Sequence, residues 1–453
     1  MQIEVIVLAA GQGTRMTSRI PKVLHTVGGK PMLTRVLETV NSLSPSQTHV
    51  VIGDNASGFH SLYDEFHVNW VHQSEQLGTG HAVLQALPYL NEGSHALVVY
   101  GDCPLVKPST LKRCTVEGQD GVGLVSAVVP DPFGLGRIIR NPSGEVEAII
   151  EQTDISSDQC AIDEINSGIL SASVGFLSEY LPRLTDNNAQ GEIYLTDLVA
   201  EAVSKGVQVN AIQATDYREV LGVNDRIQLA QVERIFQQRQ AEDLMKQGVS
   251  IADPSRFDCR GSVKAGMDCS MDINVILEGD IELGDNVQIG SNCILRNVQI
   301  ASNTIIKENT VIEDAKIGRE CSVGPFARIR PGTTLDDNVG IGNFVEIKNS
   351  QLASGVKAAH LAYLGDTEIG TDTNIGAGAI TCNYDGKDKH RTIIGDNVFI
   401  GSNSSLIAPI TIESGSAVAA GSSITRNVDT DALVIERAEQ RVVKGGGTRF
   451  RRR

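Results

Sequence analysis

Apolar residues recur every six positions through the last third of the chain. Ile394, Ile400, Leu406, Ile412, Val418 and Ile424 follow one another without a slip, and Val323, Ile329, Leu335, Ile341 and Ile347 do the same further back. Shorter runs precede them: Ile300, Ile306 and Ile312, and before those Leu283, Ile289 and Leu295. Glycine follows many of these residues, as at Gly284, Gly290, Gly342, Gly395 and Gly401. No helix repeats every six residues, and a flat strand alternates every two. The pattern fits a coil of short parallel strands in which one aliphatic side chain per hexad points inward. Each coil buries its aliphatics only against its neighbours, so stability accumulates along the axis. The hexads occupy about residues 250 to 430 and leave the N-terminal half to a different fold.

A chain of 453 residues can bury more than one core. Its formal charge of −16 disfavours nucleic acid as a partner, because nothing in the body of the chain offsets phosphate repulsion. Arg449, Arg451, Arg452 and Arg453 form the one dense basic cluster, read as a solvated tail. The eight cysteines contain no Cys-x-x-Cys pair, and no histidine cluster completes a zinc spacing. Residues 3–10 are apolar but carry Glu4 and run into a glycine-rich turn, which reads as a buried strand rather than a signal peptide. No apolar run reaches membrane-spanning length. A soluble, cytoplasmic protein with no nucleic-acid or membrane partner is expected.

Residues 3–8, 49–52, 96–100 and 123–128 are short apolar runs ending in turn residues, as parallel strands covered on both faces require. Amphipathic segments at 32–43 and 80–87 lie between them. This alternation predicts an open α/β sheet with ligands beyond the carboxyl ends of its strands. Asn224 or Asp225 can cap a helix running to about Lys246, with Leu229, Val232, Ile235 and Phe236 as its apolar stripe and Arg234 opposite. The chain therefore divides into a first domain at 1–225, a connecting helix at 226–247, the coil at 248–436 and a tail at 437–453. The hexads break between Ile347 and Ile369 and again between Ile375 and Ile394. Both breaks predict loops leaving the coil, and they hold Lys348, His360, Tyr363, Asn383 and Tyr384.

After the first strand comes Leu8-Ala9-Ala10-Gly11-Gln12-Gly13-Thr14-Arg15-Met16. Small residues here let backbone N–H groups approach an anion, and Arg15 and Lys22 add charge beside a polyphosphate. A Gly-x-Gly alone equally suits an ordinary tight turn. Asp102, at the end of another strand, suits a magnesium ion, with Asn224 as a second oxygen donor. The bland alternative is that Asp102 only caps the next turn. Gln76-Leu77-Gly78-Thr79-Gly80 could wrap a base or simply start a helix.

With Pro21-Lys22, Gln73, Leu77 to Gly80 and Tyr100-Gly101-Asp102, this half resembles the sugar-1-phosphate nucleotidyltransferases. Gly136-Arg137, Glu151, Glu164-Ile165-Asn166-Ser167-Gly168 and Gly222-Val223-Asn224, taken with the hexads, extend the likeness to nearly the whole chain. The chain is similar to the bifunctional bacterial family that joins N-acetylglucosamine-1-phosphate uridyltransferase to glucosamine-1-phosphate acetyltransferase. The resemblance implies an α/β Rossmann-like nucleotidyltransferase domain followed by a left-handed parallel β-helix of hexapeptide repeats, assembled as a homotrimer. The left hand is the family's; the general crossover rule favours the right.

Carried over by motif, Leu8, Ala9, Ala10, Gly11, Lys22, Gln73, Gly78 and Thr79 would hold UTP. Tyr100, Gly101, Asp102, Gly136, Glu151, Asn166 and Asn224 would surround the N-acetylglucosamine phosphate, with Asp102 and Asn224 also binding Mg²⁺. Arg15 and Lys22 would assist catalysis by neutralising charge. In the coil, Arg330, Lys348, Tyr363 and Asn374 would bind glucosamine 1-phosphate. Ala377, Asn383, Tyr384, Ser402, Ala420 and Arg437 would line the acetyl-CoA site. The Ile435-Glu436-Arg437-Ala438-Glu439 segment lacks the proline that the family carries there.

His360 is the candidate general base for acetyl transfer, since imidazole titrates in the useful range. A lone histidine is more often structural, and only its setting in a hexad break argues otherwise. Two other readings stay open at this stage. One is a uridyltransferase whose coil only oligomerises; the other is a regulatory subunit retaining both folds without catalysis.

Overall fold

The computed structural model describes residues 2–53, 59, 63–445 and 447. The tail arginines Arg449, Arg451, Arg452 and Arg453 lie outside the described residues. The chain divides into two compact units, Met1–Phe236 and Gln237–Arg453.

The first unit is built on one sheet. Its strands are β1 (Ile3–Leu8), β2 (Gln47–Ile52), β3 (Asn69–His72), β4 (His95–Tyr100), β5 (Val122–Val128), β6 (Arg137–Arg140), β7 (Val146–Ile150), β8 (Glu164–Ser173) and β9 (Val209–Gln213). The order across the sheet is β9-β5-β8-β4-β1-β2-β3. Successive side chains of a strand face opposite ways, and each central strand here feeds two cores. Val5 and Val7 of β1 join Leu33, Val36 and Leu37 of the helix α1 (Met32–Asn41). Ile6 and Leu8 join Ala82, Val83 and Ala86 of α2 (Thr79–Ala86) on the other face. That is why the run is apolar at every position but Glu4, and why residues 3–8 form a buried strand.

Strands β1, β2, β3 and β4 are mutually parallel, as their patterning predicts. The sheet as a whole is mixed. Strand β8 runs antiparallel between β4 and β5, so β5 keeps the direction of β4 but pairs in parallel only with β9. Its first residues Glu164 to Gly168 are too polar to read as a strand, and a register shift between Asn166 and Leu170 interrupts its pairing. The β6–β7 hairpin projects from β8 through the pairing of Arg137 with Ile165.

The helix α3 (Arg226–Lys246) begins where expected. The Asp225 carboxylate accepts the Gln228 N–H at 2.8 Å, and the Gln228 side chain accepts the Asn224 N–H at 2.7 Å. In the first unit, Val232 is buried with Met16, Val27 and Met32, and Leu229, Ile235 and Phe236 pack beside it. In the second unit, Ala241 and Leu244 join the coil core. Gln237, fully buried, exchanges hydrogen bonds with the backbone of Cys259 at 2.6 and 3.0 Å.

The second unit is a parallel β-helix with three sides per coil. The hexad aliphatics point inward, Ile400 and Ile412 with no exposed surface and Ile394 and Ile424 with 2%. Coils repeat after 18 residues, as from Asn274 to Asn292, or after 17, as from Asn286 to Asn303. These asparagines hold positive φ at the corners, which asparagine tolerates better than most residues, and their side chains hydrogen-bond from coil to coil.

The two hexad breaks have different causes. Between Ile347 and Ile369 no chain leaves the coil, contrary to expectation. Ile347 pairs with Leu364 and Leu352 with Ile369, so the ladder is continuous and two sides are simply one residue short. The second break is a true excursion: Thr371 reaches across 25 residues to Asp396, because residues 382–391 loop out.

At the opposite end of the first sheet from the strand carboxyl ends, Glu4 lies fully buried. It accepts hydrogen bonds from Asn91 N–H at 3.1 Å and Asn91 Nδ2 at 2.7 Å, and pairs with His49 at 3.2 Å. Burial raises the Glu4 pKa, but the hydrogen bonds from Asn91, Ser94 and His49 outweigh it and hold it below 4.5. Burial holds His49 below 6.5. Both groups bind protons less readily folded than unfolded. Their stabilisation is therefore present at neutral pH and is lost as pH falls through the imidazole range and then the carboxylate range. Glu4→Ala is expected to destabilise the first unit by about 1–3 kcal/mol, because it leaves the donors of Asn91 and His49 without their buried acceptor. Urea unfolding at pH 7 checks this; an unchanged midpoint would show that the network is dispensable.

Candidate active sites

At the carboxyl ends of β1 and β4 the first unit opens a cavity of about 1000 Å³. Ala9 N–H donates to Val51 O at 2.8 Å, after which the chain turns away along Ala10 and Gly11. Gly13 adopts φ +62°, and a Cβ there would lie 2.8 Å from Lys22 Cβ. This close approach brings the short helical turn Lys22–Leu24 under the glycine loop. Across the cavity, Gly101 N–H donates to Leu8 O at 2.9 Å, and Val223 N–H donates to Asp102 O at 3.0 Å. Asp102 and Asn224 thus reach the same point. The Lys22 ammonium bridges them, paired with the Asp102 carboxylate and 3.1 Å from Asn224 Oδ1.

The base-wrapping segment is fixed from behind. Ile193 N–H donates to Leu77 O and Gly80 N–H donates to Ile193 O, each at 2.8 Å, while Thr79 Oγ1 accepts Leu195 N–H at 3.1 Å. Gly78, at φ +110°, leaves no room for a Cβ, which would meet Ile193 O at 2.6 Å. Gln73 is buried and donates to Gly78 O at 3.4 Å. On the far wall, Gly136 O accepts Asn166 N–H at 2.9 Å, and Glu151 accepts from Thr196 Oγ1 at 3.2 Å. Burial, reinforced by Asp197, Asp154 and Glu192, pushes the Glu151 pKa up. Burial likewise pushes the Tyr100 phenol up.

Leu8, Ala9, Ala10, Gly11, Lys22, Gln73, Gly78, Thr79, Tyr100, Asp102, Gly136, Glu151, Asn166 and Asn224 all line this cavity. Arg15 is exposed and Gly101 sits behind the wall; neither lines it. Gln76, the first residue of the segment that could wrap a base or start a helix, lines it too, and its amide donates to Ala10 O at 2.9 Å.

In the second unit, one side of the coil carries the chemistry at both its corners. The pairing of Asn343 with His360 continues by register through Ala377, Ser402 and Ala420, which stack at one corner on successive coils. Arg437 returns to the same column and donates to Ala420 O at 2.9 Å. His360 is exposed, and its Nδ1 lies 2.7 Å from Asn343 Oδ1. An amide oxygen cannot donate, so this contact selects the Nδ1–H tautomer of the neutral ring, in which the Nε2 lone pair is free. Asn343 was not foreseen, because nothing near it in sequence marks a partner on the next coil.

At the other corner, Asp366 accepts from Asn349 at 2.6 Å and Asn383 at 2.5 Å. Burial would raise its pKa, but these bonds, with Lys348 and Lys389, hold it low. The Lys348 ammonium in turn pushes the Lys389 pKa down. Arg330 is next to Lys348 by register and pairs with Glu346 at 2.7 Å. Tyr363 lies between the corners, with its hydroxyl over Gly365, where a Cβ would stand 2.5 Å away. Tyr384 sits on the 382–391 loop, its hydroxyl bonded to Gly386 O at 2.7 Å. Asn374 lies on the preceding side, paired with Lys357 and Phe399.

These two sites define a nucleotidyltransferase joined to a hexapeptide-repeat transferase. Residues 5–135 match the MobA-like NTP transferase domain, residues 314–349 the bacterial transferase hexapeptide, and residues 391–426 the hexapeptide repeat of succinyl-transferase. The coil is accordingly a left-handed parallel β-helix. The bifunctional protein GlmU of Acinetobacter baylyi is 51% identical over 441 residues, covering 97% of each chain. That of Alkalilimnicola ehrlichii is 49% identical over 443 residues, 98% of this chain and 96% of its own. That of Stutzerimonas stutzeri is 49% identical over 446 residues, 98% of each. The chain belongs to the bifunctional GlmU family.

Proposed function

We infer that the chain carries two transferase activities: acetyl transfer from acetyl-CoA to glucosamine 1-phosphate, then uridylyl transfer from UTP to N-acetylglucosamine 1-phosphate, releasing pyrophosphate. The convergence of Lys22, Asp102 and Asn224 beside the glycine loop supports the second step most directly.

In uridylyl transfer a sugar-phosphate oxygen attacks the α-phosphorus of UTP. Asp102 and Asn224 offer one carboxylate and one amide oxygen, a set that fits Mg²⁺ when phosphates and water supply the rest. Mg²⁺ bound there would neutralise charge on the reacting phosphates. The 77–80 segment orients the base, while Gly136, Glu151 and Asn166 hold the sugar. Lys22, released from Asp102, supplies a positive charge to the phosphates. Positioning and charge neutralisation carry the rate without a covalent residue.

In acetyl transfer the amino group of glucosamine 1-phosphate must lose a proton as it attacks the thioester carbonyl. Nε2 of His360 accepts that proton, oriented by Asn343. Arg330 and Lys348 take the phosphate. The column formed by Ala377, Ser402, Ala420 and Arg437 lies in line with His360, which supports an acetyl-CoA site along it. That alignment disfavours a coil serving only as a scaffold.

Phe326, Phe344 and Leu361 project from the same corner with 48%, 55% and 60% of their surface exposed, and the two rings stack at 5.4 Å. Such a ridge beside His360 supports a homotrimer with the acetyl site next to a subunit boundary. The eight cysteines are free, which suits a reducing cytoplasm, and among the described residues no helix is long and apolar enough to cross a membrane.

His360→Ala is expected to lower acetyl transfer by about 10²–10⁴-fold and to spare uridylyl transfer, with thiol release as the assay. Equal loss of both activities would make the histidine structural. Asp102→Ala should lower uridylyl transfer by at least about 10²-fold and leave acetylation intact, as pyrophosphate release reports. Unchanged Mg²⁺-dependent turnover would remove Asp102 from the metal site.

A further inference from the structure

Arg137 opens β6, immediately after the sugar-side residue Gly136. Its side chain is buried, with 2% exposed. Its guanidinium donates to Leu135 O and, at 3.0 Å, to Gln152 Oε1, and its Nε has no partner. Both acceptors are neutral. A buried cation held only by neutral groups is costly, so a role in the packing alone explains it poorly.

The same Gln152 oxygen also accepts Gly134 N–H at 2.8 Å. Its two lone pairs therefore join the cation to the 131–136 loop. Asp131, Phe133, Gly134, Leu135 and Gly136 of that loop line the cavity, whereas Arg137 and Gln152 do not. Apart from these bonds and the Asn166 N–H bond to Gly136 O at its inner end, the loop's other hydrogen bonds are internal, Phe133 N–H to Asp131 Oδ1 at 3.0 Å and Leu135 N–H to Pro132 O at 3.2 Å, and Phe133 is 80% exposed. The loop's inner end meets the sugar wall, where a Cβ on Gly136 would lie 3.2 Å from Glu151 Oε2.

We propose that Arg137 and Gln152 form a clasp that sets the position of the 131–136 loop, and through it the affinity of the first site for its sugar phosphate. They are positioning residues, acting through Gly134, Leu135 and Gly136. The nucleotide-binding wall at Gln73 and Leu77 to Thr79 is anchored independently, on Ile193 and Leu195. The clasp therefore discriminates between the two substrates. The inference rests on the assignment of Gly136, Glu151 and Asn166 to the sugar.

The test uses the full chain with Gln152→Leu, which removes the acceptor, and Gln152→Glu, which retains it. Arg137→Met, whose folding is checked by urea unfolding of the first unit, should raise the sugar-phosphate KM as Gln152→Leu does. Steady-state uridylyl transfer is measured against N-acetylglucosamine 1-phosphate and UTP separately, and hydrogen exchange is followed at the Gly134 amide. Gln152→Leu is expected to raise the sugar-phosphate KM about tenfold, leave the UTP KM unchanged and release the Gly134 amide to exchange. Gln152→Glu should keep both properties of the parent. If the parent chain fails to use N-acetylglucosamine 1-phosphate, the assignment of the site fails. If the parent turns over and Gln152→Leu leaves the sugar-phosphate KM unchanged, or raises both KM values alike, the clasp is overturned. A Gln152→Glu variant as impaired as Gln152→Leu overturns it too.

Discussion

The vertical stacking of one aliphatic side chain per coil side governs the second unit. Because Ile375 must sit above Ala358 and below Ile400, the residue two positions beyond each is placed as well. His360, Ala377, Ser402 and Ala420 share a column for this reason and not through any contact among their own side chains. A coil can gain or lose a residue on one side, or release a loop, without disturbing this alignment, provided that the inward residue returns to register. The 382–391 excursion does so: it holds Asn383 buried against Asp366 and Tyr384 exposed, and Ile394 resumes the ladder on Ile369. Rigid backbone pairing supplies the geometry, setting His360 at a corner of the coil itself, and the loop adds Asn383 and Tyr384 to it.

The first unit reaches the same end by a different route. Its central strands bury both faces, so their carboxyl ends are the places where polar residues can emerge. Asp102 emerges after β4 and the glycine loop after β1, one strand apart and hydrogen-bonded in register. Asn224 arrives from more than a hundred residues later, on the segment that leads into the helix α3. Its position depends on the bond from Val223 N–H to Asp102 O, a single backbone contact that ties the last element of the unit to its centre.

What the sequence disclosed follows from these two mechanisms. The hexads were legible because burial demands an aliphatic residue at each inward position, and the glycine-rich and carboxylate motifs because their spacing is local. The cause of the hexad breaks was not legible. A five-residue side and a looped-out segment both disrupt a six-residue count, and only the pairing of Ile347 with Leu364 separates them. The antiparallel course of β8 was hidden because Asn166 to Gly168 line the cavity and Glu164 pairs with Arg140, so the segment forgoes an apolar pattern. Asn343 and Gln152 were hidden for another reason. Each acts through a partner distant in sequence, so no neighbouring residue betrays its role.

Both sites also solve one electrostatic problem in the same way. The chain carries a formal charge of −16 and yet its reading requires it to hold anions. Two of the cations assigned to phosphate are held by carboxylates in the structure, Lys22 by Asp102 and Arg330 by Glu346, and Lys348 lies in the field of Asp366. An uncompensated cation at a partly buried site would be destabilising. Paired, it is stable, and phosphate binding becomes an exchange of one anionic partner for another. At the first site the exchange would have a second half: were Lys22 to turn to phosphate, Asp102 would face Asn224 with its charge unmatched. A divalent cation held by Asp102 and Asn224 would answer that charge, so on the proposed reading the Lys22–Asp102 pairing would link metal binding to nucleotide binding.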